Sequence, residues 1–278
     1  MKKFAVILGA VVAAWVLLWL PALSALGEGS PAPLCFEGQP DYQYFDDHLA
    51  VQIKATFTGD LAYFVCDIQT NRPDALKVAL APGTTSTTSG LAKQSDAVLA
   101  INGDDYKVHK YGVIIRDGQL LRAAETTRNM LILDESGDLS VITGKRSESP
   151  KALGERLVGE GVQQTWEFGP ELVRDGQAVE FDSNFDVIKK GDGYLEPRTA
   201  IGQIGPGHYV VLVVDGRRDG YSKGVSLPGL RQMMADLGAQ TGFNLDGGGS
   251  TTLVFRGEVL NRPSGGVERT VTDILYFQ

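Results

Sequence analysis

The sequence predicts an α+β fold: a strand-rich single domain with few inserted helices. Three observations carry that expectation. Short apolar runs rich in β-branched and aromatic residues recur along the chain, divided by Gly, Asp or Asn turns. Glycine makes up 34 of 278 residues without a fixed period, an excess that fits many tight turns and close backbone approaches. Strong helical spacing of apolar residues occurs in one segment only.

At the N-terminus, Met1-Lys2-Lys3 precedes an uncharged stretch over residues 4–27 that includes the small residues Ala22, Ser24, Ala25 and Gly27. Basic, apolar and small residues in that order form a secretory signal, and the stretch is also long enough to remain as a membrane anchor. Residues 1–27 therefore read as signal peptide or anchor, with both open, and an uncleaved segment 4–27 would make the membrane a partner. Under the positive-inside rule the two lysines stay cytoplasmic, so the rest of the chain is expected to be exported. Residues 28–45, with Pro31, Pro33, Gly38 and Pro40, read as a spacer, and the folded domain is expected over 46–278.

Strands are expected at 49–57, 61–68, 76–80, 97–101, 111–115, 130–133, 139–142, 164–168, 199–204, 209–214, 241–244, 252–255 and 271–277. Asp117-Gly118, Asp175-Gly176 and Arg256-Gly257 read as hairpin-type turns. The clearest helix lies at 228–238. Pro228 stands near its start, Leu230, Met233, Met234 and Leu237 follow at helical spacing, and Gly238 supplies the stop. Segments 86–93 and 152–158 show the same features in weaker form.

With 43% hydrophobic residues the chain can bury a sizeable core. Its 26 Lys+Arg against 34 Asp+Glu give a net charge of −8, which argues against the basic footprint of a nucleic-acid binder. An acidic ligand would need a local basic pocket. Cys35 and Cys66 are the only cysteines, an even count that in an exported chain fits one disulfide; a buried, free Cys66 is the alternative. No C-x-x-C is present and His48, His109 and His208 are scattered, so a zinc site is not expected.

Several common chemistries fail on their motifs. Gly248-Gly249-Ser250-Thr251-Thr252 lacks the last glycine of a nucleophile elbow. Gly144-Lys145-Arg146 lacks the Ser or Thr of a phosphate-binding loop, and no G-x-G-x-x-G opens a helix after a strand.

The densest positive signal is Asn244-Leu245-Asp246-Gly247-Gly248-Gly249-Ser250, where a strand end delivers a carboxylate into three glycines. Glycines there remove bulk and free backbone N–H groups for an anion-binding nest, whereas a simple turn would need one or two. Val214-Asp215-Gly216-Arg217 and Ile101-Asn102-Gly103-Asp104-Asp105 end two further strands in the same way. Polar groups at three strand ends are expected to converge on one rim as a pocket. Arg198 and Arg269 each head a strand; on spacing alone they are either solvated edge charges or a bidentate phosphate clamp.

The runs Asn102-Gly103-Asp104, Gly112 to Gly118, Phe168-Gly169-Pro170-Glu171, Pro197-Arg198-Thr199-Ala200, Val214-Asp215-Gly216-Arg217, Asn244 to Thr251 and Glu268-Arg269 together resemble the phosphodiester glycosidase family. That family includes the uncovering enzyme and exported bacterial proteins, some of them labelled as exopolysaccharide biosynthesis proteins. The resemblance runs roughly from Ser86 to Phe277 and implies hydrolysis of a sugar-1-phosphodiester, on a cell-wall or exopolysaccharide type glycan, to free sugar and phosphomonoester. The chain departs from the family pattern at Asp104-Asp105-Tyr106, where many relatives carry aromatic residues.

On that reading Asp246 and Asp215 are the candidate base or nucleophile. Arg198 and Arg269, with the amides of Gly247, Gly248 and Gly249, hold the phosphate as negative charge develops on it. Asn102 orients sugar hydroxyls, and Gly103, Asp104 and Ser250 complete the substrate contacts. Two other readings stay open. One is a non-catalytic glycan-binding module on the same scaffold; the other is a phosphodiesterase with a divalent cation on Asp104, Asp105, Asp215 and Asp246.

Overall fold

The computed structural model describes residues 32–143, 146–181 and 194–278, so the signal or anchor expected at 1–27 lies outside the described residues. Among the described residues no helix is long and apolar enough to cross a membrane.

An antiparallel eight-stranded sheet runs in the order β1 (Tyr42–Phe45), β2 (Leu49–Thr58), β3 (Leu61–Thr70), β14 (His208–Val214), β13 (Arg198–Gly205), β15 (Thr241–Asn244), β11 (Glu171–Arg174) and β12 (Gln177–Ala178). A five-stranded sheet runs β17 (Glu258–Val259), β16 (Leu253–Phe255), β5 (Leu99–Asn102), β18 (Asp273–Phe277) and β4 (Leu76–Leu80). A smaller sheet orders β10 (Val162–Trp166), β8 (Met130–Asp134) and β9 (Leu139–Ile142), and β6 (Gly112–Arg116) pairs with β7 (Gln119–Ala124).

The main core lies between these sheets. Val211 and Val213 of β14, Ile101 of β5, Leu275 of β18 and Trp166 of β10 all belong to it. The alternate residues of β14, Val210, Leu212 and Val214, face the other way into a second cluster closed by Leu230 and Met234 of α3 (Leu227–Asp236). A strand buried on both faces gains roughly 1.5–3 kcal/mol from each such side chain, which explains its unbroken apolar sequence and central place. The other two helices act alike. Leu91 of α1 (Thr88–Gln94) covers the outer face of the five-stranded sheet, and Leu153 and Leu157 of α2 (Pro150–Gly159) cover Val113 and Met130.

All three expected helices and the thirteen expected strands are present to within a few residues. Asp117-Gly118, Asp175-Gly176 and Arg256-Gly257 have positive φ at both positions and join β6 to β7, β11 to β12 and β16 to β17. Strands β1, β7, β11, β12 and β17 were not expected. β12 and β17 are two residues long and follow from their turns, while β7 carries Arg122 and three exposed positions, with no fully buried residue to make it stand out.

Two expectations are corrected. Folding begins ahead of Asp46: β1 pairs with β2, and the Cys35 amide donates to Asp67 Oδ2 across 2.8 Å, so much of the expected spacer is domain edge. Cys35 and Cys66 are free thiols. Alternation along β3 turns Cys66 into the main core with Phe64 and Ile68, whereas Cys35 packs on the opposite face beside Val65. A disulfide would have to pass through the sheet.

Candidate active site

Sheet register brings the predicted strand ends together. β13 lies between β14 and β15 and runs antiparallel to both, with Arg198 opposite Val214 and Ala200 opposite Asn244. The start of β13 therefore meets the ends of its two neighbours on one rim. β5, from the other sheet, is tied to the same rim: the Asn102 amide donates to the Asp246 carbonyl across 2.6 Å, and the Asp246 amide donates to the Gly103 carbonyl across 3.2 Å.

At this junction lies a cavity of about 390 Å³ lined by Arg128, Phe168, Tyr194, Glu196, Arg198, Arg217, Asp246, Gly247, Gly248, Gly249 and Arg269. Asp246, Arg198, Arg269 and the three glycines are thus gathered as expected. Asp246 Oδ2 accepts from Arg269 Nη2 across 3.1 Å, and Oδ1 accepts from the Gly247 amide across 2.8 Å, so the carboxylate is fixed from both sides. Arg269 Nε also donates to Ser250 Oγ across 2.9 Å; Ser250 is buried and serves as a brace for Arg269.

The anion nest is narrower than the sequence suggested. Gly247 spends its amide on Asp246 and Gly248 donates to the Pro197 carbonyl across 2.9 Å, which leaves the Gly249 amide without an acceptor among the described residues. Two of the glycines are demanded by the backbone: a Cβ on Gly247 would lie 2.7 Å from the Pro197 oxygen, and Gly248 sits at a φ of +59, whereas Gly249 has room for a side chain.

Arg198 is 7% exposed, and its Nε donates to the Val225 carbonyl across 3.3 Å. Burial lowers its pKa from the ordinary guanidinium value while the nearby Glu196 charge acts in the opposite sense. Among the described residues no carboxylate lies within ion-pair distance of Arg198; Glu196 pairs instead with Arg217. Arg198 Nη2 also donates to the Tyr194 carbonyl across 3.5 Å, so Arg198 is held by backbone oxygens and is buried with no carboxylate partner among the described residues, which suits it to an incoming anion.

Other predicted residues stand behind the cavity, outside its lining. Asp215 is 1% exposed; Asn261 Nδ2 and the Arg262 amide each donate to it across 2.9 Å, and the Tyr221 hydroxyl does so across 2.8 Å. Asn102 is fully buried and accepts from Thr199 Oγ1 across 2.8 Å and from the Thr252 amide across 3.2 Å. Gly103 allows close approach, since a Cβ there would meet the Asp273 carboxylate at 2.5 Å. Asp104 is fully buried, accepts from the Glu167 amide across 3.0 Å and lies 3.6 Å from Arg116, which also pairs with Asp273 at 3.0 Å. Asp215 and Asp104 are thus engaged in separate networks, and no group of three or more metal-ligating side chains is gathered among the described residues.

Asp105 was named in sequence only as a possible cation ligand. It adopts a φ of 61, and its pKa is pushed up to about 6 by burial first and the Asp246 charge second. Glu167, behind Phe168, is pushed up to about 7 by burial, against the pull of Arg146 at 3.2 Å. Arg128, Tyr194 and the Glu196–Arg217 pair are cavity features that motif reading missed. Arg128 precedes an ordinary strand, and only tertiary packing brings it here.

Fold and cavity define a strand-built pocket lined by four guanidinium groups, with the Asp246 carboxylate fixed among them. Comparison with known proteins gives that class a family. The family model described as phosphodiester glycosidase matches residues 95–278, and the chain belongs to that family. It is 29% identical over 203 residues to the SPbeta prophage-derived uncharacterized protein YomE of Bacillus subtilis strain 168, covering 69% of this chain and 30% of that protein. It is 25% identical over 187 residues to human N-acetylglucosamine-1-phosphodiester alpha-N-acetylglucosaminidase, covering 64% and 36%. The chain thus spans about a third of the length of these curated relatives. The zebrafish enzyme's catalytic domain shares the fold, with a TM-score of 0.66 at 21% identity over 88% of this chain and 86% of that one. A hypothetical protein from Synechocystis also shares it, with a TM-score of 0.62 at 14% identity over 83% and 62%.

Proposed function

We propose that the chain hydrolyses the glycosidic C–O bond of a sugar-1-phosphodiester, from an exported position, on a cell-wall or exopolysaccharide type glycan. The carrying observation is the placing of Asp246, held by Arg269 and the Gly247 amide, in one cavity with the uncommitted Arg198 and the Gly249 amide. Family membership supports the reaction class, and the activity for which the human relative is named supports the substrate class. The basic-then-apolar N-terminal sequence supports export.

The chemistry follows from charge. As the bond from C1 to the bridging oxygen breaks, its electron pair leaves on the phosphate, and water supplies the hydroxyl that ends on C1. A phosphomonoester, with a second pKa of about 6, leaves readily, so stabilising its growing charge matters more than protonating it. Arg198 and the Gly249 amide supply that stabilisation, and the burial of Arg198 strengthens its part. Asp246 acts at the anomeric carbon, as base toward water or as nucleophile. Phe168 and Tyr194 give the sugar an apolar wall.

Incubation of the full chain with α-linked 1-phosphodiesters of glucose, galactose, mannose and N-acetylglucosamine tests the proposal. Free reducing sugar should form from at least one of them, and turnover of none would refute it.

A further inference from the structure

We infer that Arg128 forms a second anion subsite in the cavity, so that the preferred ligand is a sugar phosphate carrying another negative group, a phosphate or a carboxylate. The inference deepens the phosphodiester reading and rests on it for the first phosphate. It starts from a charge imbalance. Four guanidinium groups, Arg128, Arg198, Arg217 and Arg269, line the cavity against two carboxylates, Glu196 and Asp246. Arg217 pairs with Glu196 and Arg269 with Asp246. Arg198 and Arg128 remain, neither within ion-pair distance of a carboxylate among the described residues.

Arg128 is held in place without being neutralised. Its guanidinium carbon lies 4.6 Å from the Tyr111 ring centroid and 5.7 Å from that of Phe168. Its one side-chain hydrogen bond among the described residues goes to the Phe168 carbonyl across 3.3 Å. Stacking on rings orients the planar donor set and leaves N–H groups for a bidentate anion. Nearby acids are already engaged: Glu167 pairs with Arg146, and Asp104 lies beside Arg116. Arg122 adds a further positive charge close by, its Nη1 donating to the Tyr106 and His109 carbonyls at 2.7 Å each.

The two uncommitted arginines belong to different parts of the fold. Arg198 opens β13 in the eight-stranded sheet, and Arg128 lies in the link from β7 to β8. A single phosphodiester brings one negative charge, which the Arg198 side can engage. A second anion on the same ligand would meet Arg128, and a wholly neutral sugar and aglycone would leave that charge unused.

Calorimetric titration of the full chain with glucose 1-phosphate and with glucose 1,6-bisphosphate at low ionic strength tests this without needing turnover. The bisphosphate should bind at least about tenfold tighter, the low end for one added charge-assisted bidentate contact. Arg128→Gln should bring the two affinities within about twofold by weakening only the bisphosphate, and Arg128→Lys, which keeps the charge, should retain part of the preference. Arg198→Gln should weaken both ligands. Equal weakening of both by Arg128→Gln would mean that Arg128 serves the same phosphate as Arg198 and would overturn the inference. So would the absence of any preference, or of binding, in the unaltered chain. Failure to hydrolyse any phosphodiester would refute the catalytic reading instead, and these affinity ratios would still decide the subsite.

Discussion

The Asn102 side chain donates to the Asp246 backbone carbonyl across 2.6 Å, tying the end of β5 in one sheet to the carboxylate-bearing turn of the other. Its Oδ1 meanwhile accepts from Thr199 and from the Thr252 amide. Asn102 is therefore a joint between sheets, and Asp246 is positioned through it. Asn102→Ala leaves buried partners unsatisfied at about 1–3 kcal/mol each. The expected result is a Tm lower by several degrees together with a fall in kcat, measured by thermal denaturation and steady-state kinetics. An unchanged Tm would show that the joint carries no strain-bearing role.

Asp246 is fixed by Arg269 and by the Gly247 amide, so Asp246→Asn can keep one acceptor and the fold while losing the charge. Turnover should drop at least about a hundredfold with Tm within a few degrees of the unaltered chain, the low end for removing an acid–base group. Near-normal turnover in that variant would exclude Asp246 from the chemistry.

Arg198 should resist conservative replacement. A lysine supplies a point charge where a planar fork is needed, so Arg198→Lys should lower kcat as well as raise KM, by about tenfold or more. Steady-state kinetics of Arg198→Lys and Arg198→Ala check this. Constants unchanged in both would reduce Arg198 to a structural charge.

Much of this was legible in sequence, for physical reasons that differ by residue. The hairpin turn at Asp117-Gly118 is dictated locally, because this pair tolerates the positive φ that both residues adopt, and a hairpin is found there as expected. Asp246 could be found because the turn after it requires glycine, at Gly247 by close packing and at Gly248 by a positive φ, which leaves a mark in the sequence. Asp215 carries a similar local signature, a strand-ending Asp-Gly, yet its oxygens are taken by Asn261, Arg262 and Tyr221, two of them more than forty residues away. No local pattern separates a carboxylate that braces from one that faces a ligand. Arg128 had no signature at all, since its setting comes from Tyr111 and Phe168 on other parts of the fold. The cysteines paired by count but not by face.

The buried Glu167 makes stability depend on pH in a stated direction. Its pKa is pushed up to about 7 from an ordinary 4.5, so between those values the folded chain holds a proton that the unfolded chain has released. Folding is therefore favoured at the acid end of that window and loses stability as pH rises through it. Asp273, pushed up to about 6 by burial and the Asp104 charge, acts in the same sense. Tm should be higher at pH 5 than at pH 8, by a few degrees for roughly 2 kcal/mol, and Glu167→Gln should flatten the difference. A Tm that climbs steadily from pH 5 to pH 8 would contradict this account of the buried charges.

Hydrolysis in ¹⁸O-labelled water reads directly which bond breaks. Cleavage between C1 and the bridging oxygen places the label in the released sugar and leaves the phosphomonoester unlabelled, as Asp246 acting at the anomeric carbon requires. Mass spectrometry of the two products from an accepted sugar-1-phosphodiester should find ¹⁸O on the sugar alone, after correction for exchange of its anomeric hydroxyl. Label in the phosphate, with sugar phosphate among the products, would mean attack at phosphorus and would contradict the account.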